Sequence, residues 1–493
     1  MSRLVTGSEP SMLANAREVA QPEARKKDTF RMRRPVSDAI VFFGATGDLA
    51  YKQIFPALQG LIRDEGLDIP IIGVAKAGWS LDQLKARAED SLCTHGGLDT
   101  KAFAKLARLL RYVDGDYSDP STYVRLRQEL EDTRRPLHYL AIPPSLFATV
   151  AEGLAKQGAG ANARLVVEKP FGRDRESARQ LDRILNRFFP EDNIFRIDHY
   201  LGKEPVQNIV YTRFANAMFE PIWNRAYINS IQITMAQRFG VQDRGKFYDE
   251  AGAIRDVLQN HMLQVLASLT MDPPTGEEYD AMREQKAGLL KAVRPLDAAH
   301  IVRGQYTGYQ SVPGVKSGST VETFVAAKLF IDSWRWAGVP IYIRVGKALP
   351  VTATEIMVDF KRPPREAFAE IVAPASGHMR MRISPDVNIA LGLRIKHPGE
   401  GMEGQDVELI LTEQESTFMP PYQRLLGDAM HGIGDLFGRQ DIVDAQWRIV
   451  DPVLDEVALP ITYEQGSWGP KEANELIGPD GPWHNPKPTA MSQ

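Results

Sequence analysis

From about residue 37 onward, short apolar runs alternate with stretches of helical period, and this alternation limits the fold more than any other feature of the chain. Residues 38–43, 69–75, 137–142 and 164–168 read as buried strands. Helices are expected over 48–63, from the capping Ser80 to about Thr94, over 100–111 and over 146–157. Apolar strands joined by helices of that length form βαβ units around a mostly parallel sheet. The pattern changes after about Lys203. Strand-like stretches at 230–235, 321–330, 341–345, 355–360, 387–395 and 407–412 then follow one another with few helices between them. That succession favours a large, mainly antiparallel sheet. Long helices over 252–269 and 277–293 precede most of it. A tail carrying Pro479, Pro482, Pro486 and Pro488 is expected to be extended or loose.

Length agrees with this division: 493 residues suggest two or three domains, enough to bury a large core without staples. A single cysteine, Cys93, excludes an internal disulfide framework and a Cys-based zinc cluster, and no other metal site is expected. It fits a reducing, cytoplasmic setting. Lys plus Arg is 59 against 63 for Asp plus Glu, so bulk charge gives no reason to expect nucleic acid. The longest apolar runs are strand-sized, so no membrane association is expected. Residues 1–36 are polar, lack an apolar signal core and read as a flexible arm.

Four segments carry chemistry. Gly44-Ala45-Thr46-Gly47-Asp48-Leu49-Ala50 follows the first strand and opens a helix, a context in which backbone N–H groups meet a pyrophosphate. Its second Gly is three residues on, where the dinucleotide fingerprint has it two on; a structural tight turn is the competing reading. The second strand ends at Lys76. A basic residue there favours the 2′-phosphate of NADP, whereas a solvated surface lysine is the plain alternative. Glu168-Lys169-Pro170-Phe171-Gly172 ends a buried strand, where ligands of open α/β sheets gather, and its Lys-Pro bond is a candidate for the cis form. In 196–203, Asp198, His199, Tyr200 and Lys203 crowd the domain boundary with donors suited to a phosphate dianion, or form an exposed polar loop. On a regular helix His261 shares a face with Ile254, Val257, Leu258 and Val265, which by itself describes a core histidine. Asp256 lies five positions back, about 140° away on an ideal helix. Both reach one ligand only if it is as large as a sugar or if the helix is irregular there.

Taken together these segments resemble the glucose-6-phosphate dehydrogenase family, from about Ser37 to Pro460. The most specific stretch is Arg-Ile-Asp-His-Tyr-Leu-Gly-Lys-Glu at 196–204, supported by Gly44–Ala50, Glu168–Gly172, Arg255–Gln264 and Arg344-Val345-Gly346-Lys347. The resemblance implies a Rossmann-like coenzyme domain over 37–203 and a substrate-binding and oligomerisation domain over 204–493, assembled as a homodimer or homotetramer. It implies His261 as general base with Asp198 as its partner, and His199, Tyr200 and Lys203 on the sugar 6-phosphate. Lys169, Gln237, Asp256 and Lys347 would meet the sugar, with Lys169 also near the nicotinamide. Gly44, Ala45, Thr46, Gly47, Asp48, Leu49 and Lys76 would hold NADP, with NAD as a weaker alternative. The implied reaction is oxidation of glucose 6-phosphate at C1. Departures are Lys76 where many relatives have Arg, Thr352 where a basic residue is common, Gln237 where Glu is usual, and Tyr51 and Gln53 in place of basic residues. Two other readings compete: a dehydrogenase of a related sugar phosphate, altered at Gln237 and Thr352, and a non-catalytic nucleotide-binding subunit. The retention of His261, Asp198 and Lys169 argues against the second.

Overall fold

The computed structural model describes residues 35–160, 162–276, 280–365, 368, 376–399, 401–412, 419–454 and 458–488. The arm expected over 1–36 lies almost entirely outside the described residues.

The first sheet is built from β1 (Ala39–Phe43), β2 (Ile71–Ala75), β3 (Leu110–Asp114), β4 (Pro136–Leu140), β5 (Arg164–Glu168) and β6 (Ile194–Ile197). These six strands pair in parallel, in the order β6-β5-β4-β1-β2-β3. β1 is buried along its whole length because helices cover both faces. Ile40 and Phe42 join one apolar cluster; Ala39, Val41 and Phe43 join another across the sheet. The helix Leu81–Thr94 starts at Ser80 with a reciprocal cap: Ser80 Oγ accepts from Gln83 N, and Gln83 Oε1 accepts from Ser80 N.

The second sheet contains β7 (Ile228–Ala236), β8 (Ile301–Tyr306), β9 (Phe324–Leu329), β10 (Ile341–Gly346), β11 (Ala353–Phe360), β12 (His378–Ser384), β13 (Asn388–Lys396) and β14 (Gly404–Thr412). A two-residue β15 (Phe437–Gly438) joins the first sheet against β6, and β16 (Ile461–Tyr463) closes the second beside β8. The nine-stranded order among the described residues is β14-β13-β12-β11-β7-β10-β9-β8-β16. All its pairs are antiparallel except β7–β10 and β8–β16, so the sheet is mainly antiparallel, as expected. Ile231, Ile233 and Met235 of β7 face a core shared with the helices that carry Val257, Leu258, Met262 and Leu263.

Several elements differ from the sequence reading. The helix expected over 100–111 ends at Leu109 and runs straight into β3, whose half-buried residues alternate too weakly to announce a strand. The segment expected as one helix over 252–269 is three pieces. Gly252, at φ +69° and ψ 175°, breaks the helix Gly245–Ala253; a π-helix spans Ile254–Met262; an α-helix spans Leu263–Thr270. The proline-bearing tail is docked. Trp483 is buried, its Nε1 donates to Ala473 O at 2.7 Å, and the Arg344 guanidinium lies 4.7 Å from its ring centroid. The helix Pro421–His431 and β15 return from the second half of the chain to pack on the first sheet, where Leu425, Leu426 and Ala429 meet Leu58 and Leu61.

Candidate active site

β1 ends at Phe43 and the chain turns through Gly44, at φ +81°. A Cβ there would stand 2.2 Å from Ala141 O, so only glycine fits this turn. Ala45 is buried, Thr46 and Gly47 are partly exposed, and Asp48 and Leu49 begin the helix. Gly47 N donates to Gly44 O at 2.9 Å and Ala45 N to Val74 O at 3.2 Å. The N–H groups of Thr46, Asp48 and Leu49 have no acceptor among the described residues and head the helix, where an anion is favoured. This turn suits a dinucleotide pyrophosphate. Lys76, at the end of β2, is exposed and its Nζ lies 2.6 Å from Asp116 Oδ2. Asp116 holds the Lys76 ammonium above its ordinary pKa, and Lys76 depresses the Asp116 carboxyl in return.

Lys169 directly follows β5, and its bond to Pro170 is cis. Its ammonium donates to Asp256 O at 2.8 Å and Asp256 Oδ1 at 3.0 Å, and stands 3.0 Å from His261 Nε2. The π-helix explains how Asp256 and His261 meet. Bonding from i to i+5 sets residues five apart over one another, whereas an α-helix would point them apart. Asn260 supports the wide turn: its Nδ2 donates to Arg255 O at 3.2 Å, and its Oδ1 accepts from His261 N at 2.6 Å.

His261 is 2% exposed and its Nδ1 lies 2.5 Å from Asp198 Oδ1, which also accepts from Tyr200 N at 3.0 Å. The network assigns the Nδ1 proton to the Asp198 contact and leaves the Nε2 lone pair facing Lys169. Burial lowers the His261 pKa below its ordinary value; the Asp198 carboxylate opposes this and Lys169 adds to it. Burial alone would raise the Asp198 carboxyl, but the charges of His261, His199 and Lys169 hold it well below the usual carboxylate range. Burial and Lys169 pull Asp256 in opposite directions, with a net lowering. Asp198, His199 and His261 present potential metal-ligand atoms within 4.8 Å of one another, a proximity that the Asp198–His261 bond already accounts for.

The loop after β6 surrounds His261. His199 meets it edge-on at 4.6 Å between centroids and Tyr200 stacks on it at 4.5 Å. Lys203 Nζ sits 3.9 Å from the Tyr200 centroid and directly precedes the helix Glu204–Ala215. Burial lowers both the His199 and the Lys203 pKa. The Tyr200 hydroxyl is buried against Thr354 Oγ1 at 3.3 Å, and burial pushes its pKa to about 12. Beyond the end of β10, Lys347 is buried between the rings of Phe239 and Tyr248 and donates to Gln237 Oε1 at 2.7 Å. Burial pushes its pKa down to about 8, opposed by Asp256. Thr352 Oγ1 accepts from Arg238 N at 3.0 Å and lies at the surface.

Lys169, Asp198, His199, Tyr200, Asp256 and His261 thus form one connected cluster, with Lys203 against Tyr200. Gln237 and Lys347 form a second pair, and Asp256 acts on Lys347 electrostatically. Gly44–Leu49 and Lys76 lie at the ends of β1 and β2, away from these contacts. Sequence reasoning missed Tyr422, whose ring lies nearly parallel to His199 at 6.3 Å, and gave no role to Glu168, whose Oε1 accepts from Tyr139 OH at 2.5 Å. Burial pushes Glu168 up to about 7, with Tyr139, Lys169 and Tyr422 opposing. Tyr422 has no local motif; Glu168 gave a signal in being acidic at the end of an apolar strand.

The family model described as the glucose-6-phosphate dehydrogenase NAD binding domain matches residues 41–208, and that of the glucose-6-phosphate dehydrogenase C-terminal domain matches 210–484. Glucose-6-phosphate 1-dehydrogenase 1 of Mycobacterium tuberculosis is 44% identical over 451 residues, covering 91% of this chain and 97% of its own. Glucose-6-phosphate 1-dehydrogenase of Bacillus subtilis is 37% identical, covering 90% and 97%. The crystal structure of glucose-6-phosphate 1-dehydrogenase from Mycobacterium avium superposes with a TM-score of 0.86 at 46% identity, covering 92% of this chain and 99% of that one. A glucose-6-phosphate dehydrogenase in complex with glucose-6-phosphate gives 0.85 at 34% identity, covering 93% and 100%. Two family models matched in order, relatives aligned over nearly the whole length and a shared fold lead to one conclusion: the chain belongs to the glucose-6-phosphate dehydrogenase family.

Proposed function

We propose that this chain oxidises glucose 6-phosphate at C1 to the 6-phospholactone, with hydride transfer to NADP. The observation that carries the reading is the buried Asp198–His261 pair with Nε2 facing Lys169 and Asp256. In this reading the C1 hydroxyl takes the place of Lys169 as donor to His261 Nε2, and His261 accepts its proton as C1 is oxidised. Asp198 stabilises the imidazolium and fixes the tautomer. Asp256, Lys169, Gln237 and Lys347 hold the sugar hydroxyls. His199, Lys203 and the start of the helix Glu204–Ala215 favour the phosphate, with Tyr200 beside them. Binding energy from the phosphate, remote from C1, orients the reacting carbon. A bound nicotinamide supplies the hydride acceptor, and Gly44 to Leu49 would hold its pyrophosphate.

NADP rather than NAD is inferred from Lys76, which must share its charge between Asp116 and the 2′-phosphate. A homodimer or homotetramer is part of the same proposal. Leu393 and Ile395 of β13 and Leu409, Ile410 and Leu411 of the edge strand β14 are exposed, a surface suited to a second copy. Among the described residues no helix is long and apolar enough to cross a membrane. A cytoplasmic location belongs to the same proposal and is supported by the single cysteine.

The test is reduction of NADP and NAD, followed by absorbance, with glucose 6-phosphate, its C2, C3 and C4 epimers and unphosphorylated glucose. Glucose 6-phosphate with NADP should give the highest kcat/KM and free glucose a far lower one. A higher value for another hexose phosphate would overturn the substrate, and equal rates with free glucose would overturn the phosphate-holding role.

A further inference from the structure

Ala348 is buried and has φ +52°, in the left-handed region. Glu131, Asn162 and Gln242 share a positive φ but are exposed. A side chain other than glycine seldom adopts this backbone, and it persists where the surroundings over-determine it, commonly beside a functional group. The group beside it here is Lys347, which directly follows β10 and donates to Gln237 Oε1 at 2.7 Å. Hydrogen bonds reach the turn from three sides. Gln237 N donates to Gly346 O and Leu349 N to Gln237 O, both at 3.0 Å, and Ala348 N donates to Phe239 O at 3.1 Å. These bonds tie the backbones of Gln237 and Lys347 to each other. Lys347 N donates to Thr323 O at 3.0 Å. From the C-terminal part of the chain, Gly466 N donates to Ala348 O at 2.7 Å and Tyr463 OH to Lys347 O at 2.7 Å.

Tyr463 supplies the side-chain bond of this set, and Lys347 O has no other partner among the described residues. Tyr463 ends β16 and is buried, with its ring against Tyr306 and Phe324. Thr323 Oγ1 accepts from Tyr306 N at 3.0 Å and lies 3.1 Å from Tyr463 OH. The network therefore assigns the Thr323 proton to the Tyr463 oxygen and the Tyr463 proton to Lys347 O. Burial raises the Tyr463 pKa above its ordinary value, so the hydroxyl stays a donor across the working range.

We propose that Tyr463 is a positioning residue for the sugar site: its hydroxyl, by donating to Lys347 O, holds the left-handed turn at Ala348 and so keeps the Lys347 ammonium and Gln237 where the sugar hydroxyls bind. Without that donor the Lys347 carbonyl is buried and unsatisfied. The turn then relaxes toward a backbone that alanine adopts without strain, and Lys347 moves away from Gln237. None of these bonds involves Asp198, His261 or the turn Gly44–Leu49, so proton removal and coenzyme binding stay as they are. The proposal rests on the reading of Lys347 as a ligand of the sugar.

The experiment compares wild-type enzyme with Tyr463→Phe, which removes only the hydroxyl, with Tyr463→Phe combined with Ala348→Gly, and with Lys347→Met. Steady-state kinetics are measured for glucose 6-phosphate and NADP, and thermal melting establishes that each variant is folded. Tyr463→Phe should raise KM for glucose 6-phosphate about two- to tenfold, the equivalent of one neutral hydrogen bond, with kcat and KM for NADP nearly constant. Glycine takes the left-handed backbone without steric cost, so the double variant should recover most of that affinity. A lower melting temperature with KM at its wild-type value, or a rise in KM that glycine leaves in place, would make Tyr463 a structural residue only and overturn the proposal. Lys347→Met separates this failure from that of the functional reading. If Lys347→Met raises KM for glucose 6-phosphate and Tyr463→Phe does not, the Tyr463 assignment alone fails. If Lys347→Met leaves that KM unchanged, Lys347 is not a sugar ligand, and the reading beneath the proposal fails with it.

Discussion

His261 shows how much one residue depends on its surroundings. Its spacing on the chain describes a core histidine, and it is indeed 2% exposed; the base role proposed for it rests on Asp198 and Lys169 at its two nitrogens. His261→Asn should therefore lower kcat by about 10²–10⁴-fold with little change in KM. Because burial lowers its pKa, the neutral, proton-accepting form persists to lower pH. The acid limb of kcat/KM should lie below about 6.5, the ordinary histidine value; a limb well above that in a pH–rate profile would contradict the role. Beside Lys347, the Gln237 oxygen is occupied by the Lys347 ammonium, so in the proposed sugar contact Gln237 would offer its amide NH₂. Gln237→Glu should give Lys347 an anionic partner and free an accepting oxygen for a hydroxyl. A charged hydrogen bond exceeds a neutral one by about 1 kcal/mol, so kcat/KM should rise several-fold, mostly through KM. Lys347 loses its charge as pH passes about 8. That sets a basic limb in wild type, and the new carboxylate should move it to higher pH. A fall in glucose 6-phosphate kcat/KM, in a folded variant, would overturn this account of position 237, whereas a rise accompanied by a loss on another hexose phosphate would mark Gln237 as tuned for that sugar. Lys76 is held by Asp116 at the surface. Asp116→Asn should release it and raise the ratio of kcat/KM for NADP over NAD; an unchanged ratio would remove Lys76 from the 2′-phosphate site.

At the scale of elements, the π-helix Ile254–Met262 decides the site. Asp256 and His261 are five residues apart in any conformation, but only the wide turn sets both beside one lysine. Asn260 is the side chain that supports this turn, through Arg255 O and His261 N. Asn260→Ala should cost about 1–3 kcal/mol of stability, since the buried His261 N–H loses its side-chain acceptor. It should also lower kcat more than it raises KM, as read from urea denaturation and steady-state kinetics together. Wild-type kcat in that variant would mean that the turn holds without it. β6 and β12, which the sequence hid, share one cause. β6 carries the buried Arg196, paired with Asp182 and Glu191, and β12 carries Arg380 and Arg382, paired with Glu355 and Glu408. A charge inside a strand contradicts the apolar pattern until its partner, from another element, is known.

At the scale of the molecule, the two sheets are clasped by chain that crosses between them. Trp447 Nε1 donates to Phe171 O at 2.9 Å, Asp444 pairs with Arg175 and Arg179, and Asp451 Oδ1 accepts from Arg175 N. The helix Pro421–His431 buries Leu425 in the core of the first sheet, more than 200 residues beyond β6 in sequence. Leu425→Ala should therefore destabilise the protein by about 2–5 kcal/mol, the usual cost of a large-to-small change in a packed core. Hydrogen exchange should show the loss in β1, β4 and β5 as well as in its own helix. A loss confined to residues 421–431 would mean that this helix is an appendage.

Local chemistry by itself determined the fold class, the wholly apolar strands β1 and β2, the mostly apolar strands β4 and β5, the Ser80 cap, the glycine turn at Gly44 and the residue types gathered near Lys169, Asp198 and His261. Those features depend on neighbours in sequence: period, propensity and a backbone angle open to glycine. Tertiary structure decided the rest. It placed Asp256 over His261 through a π-turn, set Lys76 against Asp116, brought Tyr422 to His199 and drew the proline-bearing tail onto Arg344 through Trp483. Each of these joins groups far apart along the chain or depends on a helix geometry that residue spacing does not encode. Their energies come from burial and paired charge, which exist only once the two sheets and the returning helix have closed around them.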